Sequence, residues 1–315
     1  MALLIACSSR GDEFAGVARR LAPDLDLRVA PDVGDPTQVD YALTWWPQQG
    51  LLKTLPNLRL IVSVGAGVDH LFSDPDLPDV PIVRFVDPDL TGRMVEYIAL
   101  HVLYHHRRMS EFRELQARKV WKYLAEPAAH EVRVGLMGLG VLGSAAAAAL
   151  KTFGYQVRGW SRSAKSLDGI ACYAGMGELD AFLADTDILA VLLPLTPDTR
   201  GTLNRKLIAK LSRRGRDERL PGPVLINAGR GGLQVDADIL AALEAGELYA
   251  ASLDVFEAEP LPHSSPLWAH PRVLVTPHNA AESAPVAIVR YALRQMAAHR
   301  KGEPIDHVVD PKQGY

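Results

Sequence analysis

Three ionisable residues stand just beyond three short apolar runs in the C-terminal half of this 315-residue sequence, and their types suit one reaction. Arg230 lies in Asn227-Ala228-Gly229-Arg230-Gly231, Glu259 in Asp254-Val255-Phe256-Glu257-Ala258-Glu259-Pro260, and His278 in Thr276-Pro277-His278. A guanidinium is a planar, two-pronged donor that matches a substrate carboxylate and an adjoining oxo group. An imidazole can give a proton to a carbonyl oxygen as hydride reaches the carbon, or take one in the reverse direction. A carboxylate beside the ring favours its protonated form, and Glu259 is the candidate for that place. Taken singly, each also fits a plainer role: surface arginine, loop carboxylate, turn histidine. Taken together, they point to hydride chemistry at the carbon next to a carboxylate.

That reaction needs a hydride carrier, and the sequence holds a place for one. Val132, Val134 and Leu136 read as a buried parallel strand, which breaks into Gly138-Leu139-Gly140-Val141-Leu142-Gly143. Strong helix formers fill residues 145–150, so strand, glycine turn and helix follow in dinucleotide-binding order. Gly138 permits the tight turn, Gly140 close backbone approach to a pyrophosphate, and Gly143 close packing of helix on strand. Val141 and Leu142 lie at the helix N-terminus, which faces an anion. Residues 155–160 give the next strand, after which an NAD-binding unit usually carries an acid. Here Ser161-Arg162-Ser163 follows instead. These side chains suit a 2'-phosphate that an acid would repel, so NADPH is expected over NADH, with NADH still possible.

The elements that position these residues form two open α/β units. In the first, strands at residues 3–7, 25–29, 41–44 and 60–64 alternate with helical patterns. The last runs into Gly65-Ala66-Gly67-Val68-Asp69, beyond a strand end where such sheets bind ligands. Its glycines either offer bare N–H groups to a carboxylate or simply close a tight turn. Thr91 can cap a long helix from Gly92 or Arg93 whose apolar face is Val95, Ile98, Ala99, Val102 and Leu103, carrying the chain between units. His101 and His105, with His106 beside them, have a zinc-compatible spacing but no accompanying carboxylate motif, so a solvated or subunit-facing surface is expected and no metal. Residues 114–124 continue with amphipathic character, and Trp121 and Tyr123 suit a packing or dimer surface.

Further strands at 188–192, 224–226, 250–253 and 273–275 bring the second unit to six, all parallel; helical patterns cover 203–211 and 238–245. Residues 211–223 read as an exposed polar loop, and Pro285 opens a last helix to about Arg300. The expected organisation is a substrate (lid) domain of residues 1–97 and 284–315 and a dinucleotide-binding domain of residues 98–283, with a cleft between two doubly wound parallel sheets, the smaller flavodoxin-like.

Composition narrows the partners. A net charge of -3 offers no basic footprint for nucleic acid or an anionic membrane, and Arg213-Arg214-Gly215-Arg216 is interrupted by Asp217-Glu218, as in a solvated loop. Cys7 and Cys172 are the only 2 cysteines, too few for a disulfide framework, and Cys172 has no activating base near it in sequence. The apolar start is too short for a signal-peptide core and no stretch spans a bilayer, so a cytoplasmic protein is expected.

The chain resembles the D-2-hydroxyacid dehydrogenases, in particular their NADPH-preferring glyoxylate/hydroxypyruvate reductase branch. The matching segments are Gly65-Ala66-Gly67-Val68-Asp69, the Gly138–Gly143 turn, Trp160-Ser161-Arg162-Ser163, Leu193-Pro194-Leu195-Thr196-Pro197, and those around Arg230, Glu259 and His278. The resemblance implies reduction of a short 2-oxo acid to the D-2-hydroxy acid, with Arg230, Glu259 and His278 as the catalytic trio. It also implies backbone amides of Val64, Gly65, Ala66 and Gly67 on the substrate carboxylate and Trp45 beside it. Asp254 would partner the nicotinamide carboxamide, while Leu193, Pro194, Thr199, Asn227, Ala228 and Gly229 would join Arg230 and His278 along the cofactor. A homodimer through the nucleotide domain is implied as well. Trp46 and the length of the loop after Leu211 depart from the pattern. The competing readings are a reductase of bulkier 2-oxo acids and a non-catalytic nucleotide-sensing interaction protein.

Overall fold

The computed structural model describes residues 2–212 and 214–311, which fall into two compact units, Met1–Leu90 with Ser283–Tyr315 and Thr91–Glu282. In the first, strands β1 (Ala2–Cys7), β2 (Asp26–Val29), β3 (Val39–Trp45), β4 (Leu60–Ser63) and β5 (Ile82–Arg84) form an all-parallel sheet in the order 2-1-3-4-5. Leu3, Leu4 and Ile5 of β1 are all fully buried, as a central parallel strand covered on both faces requires. Helices α1 (Gly11–Leu21) and α2 (Asp69–Phe72) belong to this unit.

Helix α3 (Pro88–His106) then carries the chain into the second unit. It begins before Thr91, so the expected cap is an interior residue instead. Its buried stripe is Met94, Tyr97, Ile98, His101, Val102 and His105, spaced i, i+3, i+4, i+7. Val95 and Leu103 are only partly buried. The expected face was therefore rotated, because the apolar pattern alone left out the histidines. Nor do those histidines form a solvated surface. His101, His105 and His106 are 3%, 6% and 5% exposed and bond to Tyr97 O (2.7 Å), Ser252 Oγ (2.8 Å), and both Tyr155 Oη (2.7 Å) and Pro127 O (2.9 Å), respectively.

After α4 (Met109–Ala117) the second sheet is built from β6 (Arg133–Met137), β7 (Gln156–Ser161), β8 (Ala171–Ala174), β9 (Ile188–Val191), β10 (Val224–Asn227), β11 (Ala250–Leu253) and β12 (Val273–Val275), with α5 (Val141–Thr152), α6 (Gly175–Ala184), α7 (Arg205–Ile208) and α8 (Asp236–Glu244) between them. All its pairings are parallel, in the order 12-11-10-9-6-7-8. Two apolar clusters cover its faces, and successive residues divide between them: Ile188 and Ala190 join one, Leu189 and Val191 the other. The order reverses at β6, so the turn after β6 sits at the topological switch point, where such sheets bind ligands. Helix α9 (Pro285–Lys301) returns to the first unit, with Pro285 at its first turn, where a missing N–H costs nothing.

Several local expectations change. The second sheet has a seventh strand, β8, and the helical pattern over 203–211 shrinks to α7, capped by Asn204 Oδ1 on Leu207 N at 3.1 Å. Helix α4 stops at Ala117, and Lys119 adopts a left-handed φ of 55°, so the segment to Leu124 is not helical. The 211–223 segment is not simply exposed: Ser212 Oγ donates to the buried Asp187 at 2.6 Å, Leu220 is 6% exposed in the core, and Arg219 bonds Asp217 and Glu131. Arg213, part of the basic run, lies outside the described residues. No helix among the described residues is long and apolar enough to cross a membrane.

Candidate active site

The glycine turn after β6 separates the demands of folding from those of binding. Gly138 has φ 111°, and a Cβ there would lie 2.7 Å from Leu192 O. On Gly143 a Cβ would lie 1.8 Å from Gly138 O, so α5 could not sit so close to the strand. Gly140, the N-cap of α5, is different: a Cβ there would meet no atom within 4 Å. Open space beside bare backbone at a helix N-terminus is what a pyrophosphate needs, since the first-turn N–H groups have no intrahelical acceptor. The residues present therefore fit a dinucleotide. Val141 and Leu142 occupy that first turn.

At the end of β7, Ser161 is buried and its Oγ donates to Ser163 O at 2.8 Å, which curls the strand end. Arg162 and Ser163 are exposed, and so is Lys165. Lys165 is a second cation three residues after Arg162, outside the segment the sequence singles out.

Several other expected cofactor residues spend their side chains inside the unit. Thr199 Oγ1 donates to Pro194 O at 2.8 Å and accepts from Thr196 N at 2.8 Å, so it shapes the loop after Leu193. Asn227 is fully buried; its amide donates to Gln234 Oε1 at 2.7 Å and Arg230 O at 3.2 Å, and its carbonyl accepts from Gly229 N at 3.1 Å. Ala228 is buried, and a Cβ on Gly229 would lie 2.9 Å from Leu193 O, which ties these two loops together. Asn227 thus sets the backbone on which Arg230 stands.

The three ionisable residues converge in the Thr91–Glu282 unit. His278 Nδ1 lies 2.7 Å from Glu259 Oε2, while Glu259 Oε1 accepts from Phe256 N at 3.0 Å. Burial alone raises the Glu259 pKa. The hydrogen bonds from His278 and Phe256 N–H, with the charges of His278 and Arg230, outweigh it and hold the carboxyl below its ordinary range. Glu259 is thus a carboxylate at neutral pH, fixed on both oxygens. It pins the imidazole by Nδ1, so Nε2 is the ring nitrogen left outside that contact. The His278 and Glu259 side chains keep 37% and 34% of their surface exposed, open to a small molecule.

His278 also carries backbone strain, with φ 53° on a non-glycine residue, which costs on the order of 1–3 kcal/mol. Asp254, 1% exposed, holds the loop that imposes it. Its Oδ1 accepts from Thr276 Oγ1 at 2.6 Å and Asn279 N at 3.0 Å, its Oδ2 from Ala280 N at 2.9 Å, and its backbone carbonyl from His278 N at 2.8 Å.

In the Met1–Leu90 unit the loop after β4 has its own geometry. The Val64 N–H is already committed to Thr44 O at 3.0 Å, so Gly65, Ala66 and Gly67 are the amides to consider for a carboxylate. Ser63 Oγ lies within hydrogen-bond distance of the carbonyls of Gly65 (3.2 Å) and Gly67 (3.4 Å). A Cβ on Gly65 would lie 2.6 Å from the Trp45 ring, so that ring rests against the loop. His70 lies against Trp45 at 4.9 Å and against Trp46 at 5.5 Å between ring centroids. Among the described residues no group of three or more His, Cys, Asp and Glu could hold a metal ion.

Residues 99–280 match the family described as D-isomer specific 2-hydroxyacid dehydrogenase, NAD binding domain. The chain is 40% identical over 308 residues to a glyoxylate/hydroxypyruvate reductase A of Serratia proteamaculans, covering 96% of this chain and 95% of that protein. Among solved structures, it is similar to a probable 2-hydroxyacid dehydrogenase from Rhizobium etli in complex with NADP, HEPES and L(+)-tartaric acid, with 44% identity, a TM-score of 0.94 and coverage of 100% and 99% of the two chains. It is likewise similar to the NADPH-dependent glyoxylate/hydroxypyruvate reductase of Sinorhizobium meliloti in complex with NADP and sulfate, with 43% identity, a TM-score of 0.92 and coverage of 100% and 99%.

Proposed function

The chain belongs to the D-isomer specific 2-hydroxyacid dehydrogenase family, and we propose that within it the protein uses NADPH to reduce a short 2-oxo acid of the glyoxylate or hydroxypyruvate kind. The product is the D-2-hydroxy acid where it is chiral. The observation that carries this reading is the 2.7 Å contact between His278 Nδ1 and Glu259, on a carboxylate that also feels Arg230. The Gly138–Gly143 turn lies in the same unit.

NADPH, when bound, supplies the hydride. The N-terminus of α5 at Gly140, Val141 and Leu142 would hold its pyrophosphate, and Arg162, Ser163 and Lys165 its 2'-phosphate, with Ser161, committed to Ser163 O, shaping the strand end beneath them. Asp254 would take the carboxamide, while backbone from Leu193, Pro194, Thr199 and Asn227 to Gly229 would line its course. Arg230 grips the substrate carboxylate and its oxo oxygen, which fixes the face of the carbonyl. His278 Nε2 gives its proton to that oxygen as the carbonyl becomes an alcohol. Glu259 neutralises and orients the imidazolium through Nδ1. To the Met1–Leu90 unit we assign substrate recognition, through the Gly65, Ala66 and Gly67 amides and the Trp45 ring.

We also assign the protein to the cytoplasm and to a homodimer formed through the nucleotide-binding unit. Trp121 and Tyr123 are 103% and 85% exposed, and with Phe112 and Phe153 they line a surface cavity of about 840 Å³. An aromatic patch of this kind fits a second copy of the chain. Sedimentation should show a dimer that Trp121→Asp weakens.

Steady-state NADPH oxidation across a panel of 2-oxo acids tests the activity. Glyoxylate and hydroxypyruvate should turn over fastest, and faster with NADPH than with NADH. Preference for phenylpyruvate would support a reductase of bulkier acids, whereas NADPH binding without turnover of any acid would support a nucleotide-sensing protein.

A further inference from the structure

We infer that Tyr97 is a positioning residue for the proton donor, acting through a two-hydroxyl relay, Tyr97 Oη to Thr276 Oγ1 to Asp254, that fixes the loop bearing His278. The inference rests on the reading of His278 as the proton donor. All members of the relay lie in the Thr91–Glu282 unit.

The direction of each hydrogen follows from what the groups can do. An ionised carboxylate only accepts, so the 2.6 Å bond between Thr276 Oγ1 and Asp254 Oδ1 takes the threonine hydrogen. Thr276 Oγ1 then has only lone pairs left for Tyr97 Oη, 2.8 Å away, and the phenol must donate. Burial raises the Tyr97 pKa, so the phenol keeps its hydrogen at any pH at which the protein works. Hydroxyl chains of this kind polarise one another, and each bond strengthens the next.

Asp254 turns the relay into geometry. Besides Thr276 it accepts from the N–H groups of His278, Asn279 and Ala280, so one residue grips four groups of a five-residue loop. That loop holds His278 at φ 53°, a conformation that persists only where the surroundings over-determine it. Tyr97 itself is rigid: it is 9% exposed on the buried stripe of α3, and its ring stacks on His101 with centroids 3.9 Å apart. The relay therefore ties the loop bearing His278 to α3 by hydrogen bonds.

The test is a kinetic comparison of Tyr97→Phe, Thr276→Val, Thr276→Ser and the Tyr97→Phe/Thr276→Val pair in the full-length protein, with His278→Asn as reference. Tyr97→Phe and Thr276→Val should each lower kcat between about ten- and a hundredfold, as a small misplacement of a catalytic group does. The NADPH dissociation constant and the thermal midpoint of Tyr97→Phe should stay near those of the parent. Thr276→Ser, which keeps the hydroxyl, should restore most of the rate, and the double variant should be no slower than the worse single one, because both cut one chain. Unchanged kcat in Tyr97→Phe and Thr276→Val, alongside an inactive His278→Asn, overturns the relay and leaves the proton-donor reading standing. Additive losses, or equal loss in the Ser and Val variants, overturn it too, since either shows damage to packing. A fully active His278→Asn removes the underlying reading, and the inference falls with it.

Discussion

On the proposed reading, Arg162, Ser163 and Lys165 choose between two cofactors that differ by one phosphate. The choice would be electrostatic: a 2'-phosphate beside an acid would be repelled, whereas beyond β7 it would meet the exposed side chains of two cations and one short hydroxyl. Arg162→Ala should raise the KM for NADPH about tenfold or more while moving that for NADH much less, because a hydrogen bond to a charged group contributes about 1.5–3 kcal/mol. Lys165→Ala should act in the same sense. Parallel changes for both cofactors would show that the segment does not read the phosphate. Asp254 illustrates the opposite case at this scale. Its type and place suggest a cofactor contact, yet three of its acceptor positions are occupied within the protein, so its substitution should damage the His278 loop as well as the cofactor site.

Elements impose their own logic on the glycine turn, and substitution by alanine separates its two duties. Gly143→Ala places a methyl where Gly138 O stands, a backbone atom that cannot move without parting α5 from β6, so the protein should lose stability and NADPH binding together. Gly140→Ala meets open space with an ordinary φ of -76°, so its melting temperature should be unchanged while NADPH binding weakens as the methyl intrudes on the pyrophosphate. Equal melting temperatures with equal NADPH affinity would place the cofactor elsewhere. This turn was legible in the sequence because strand, glycines and helix are contiguous and each is strongly patterned. The loops of Arg230, Glu259 and His278 were legible for a similar reason, since each follows a short apolar strand, buried in β10 and β11 and half-buried in β12. Strands β5 and β8 were not: each lies at the end of its sheet's strand order, is 3 or 4 residues long, and so needs little apolar patterning. The true stripe of α3 was hidden because His101 and His105 replace apolar residues on it, and only their partners in the fold, Tyr97 O and Ser252, make burial tolerable. Lys165 lay beyond the usual end of the motif, and the Tyr97 relay joins residues 179 apart, a separation no local pattern reveals.

At the scale of the whole molecule, these buried histidines link stability to pH. Burial lowers the His105 pKa to about 3, with the neighbouring His101 adding to the effect. Burial also lowers the pKa of His101, against the opposing pull of Tyr97 O and Asp254. The unfolded chain binds a proton on each near the ordinary value of about 6.5, whereas the folded chain resists it, so acid favours unfolding. Stability should therefore be level above about pH 6.5 and fall as the pH drops below it, by up to about 1.4 kcal/mol per pH unit for His105, down to its folded value of about 3. Glu259, with its lowered pKa, adds a loss only further into acid, below the ordinary carboxylate range, so the two effects are separable by pH. Denaturant unfolding of the Thr91–Glu282 unit at about pH 7.5 and about pH 5.5 should thus differ by about 1.4 kcal/mol on account of His105 alone. His105→Gln, which keeps a polar group for Ser252 but cannot take up a proton, should remove that share of the difference even if it lowers stability at both pH values. An undiminished difference in the variant would assign the acid sensitivity to other groups.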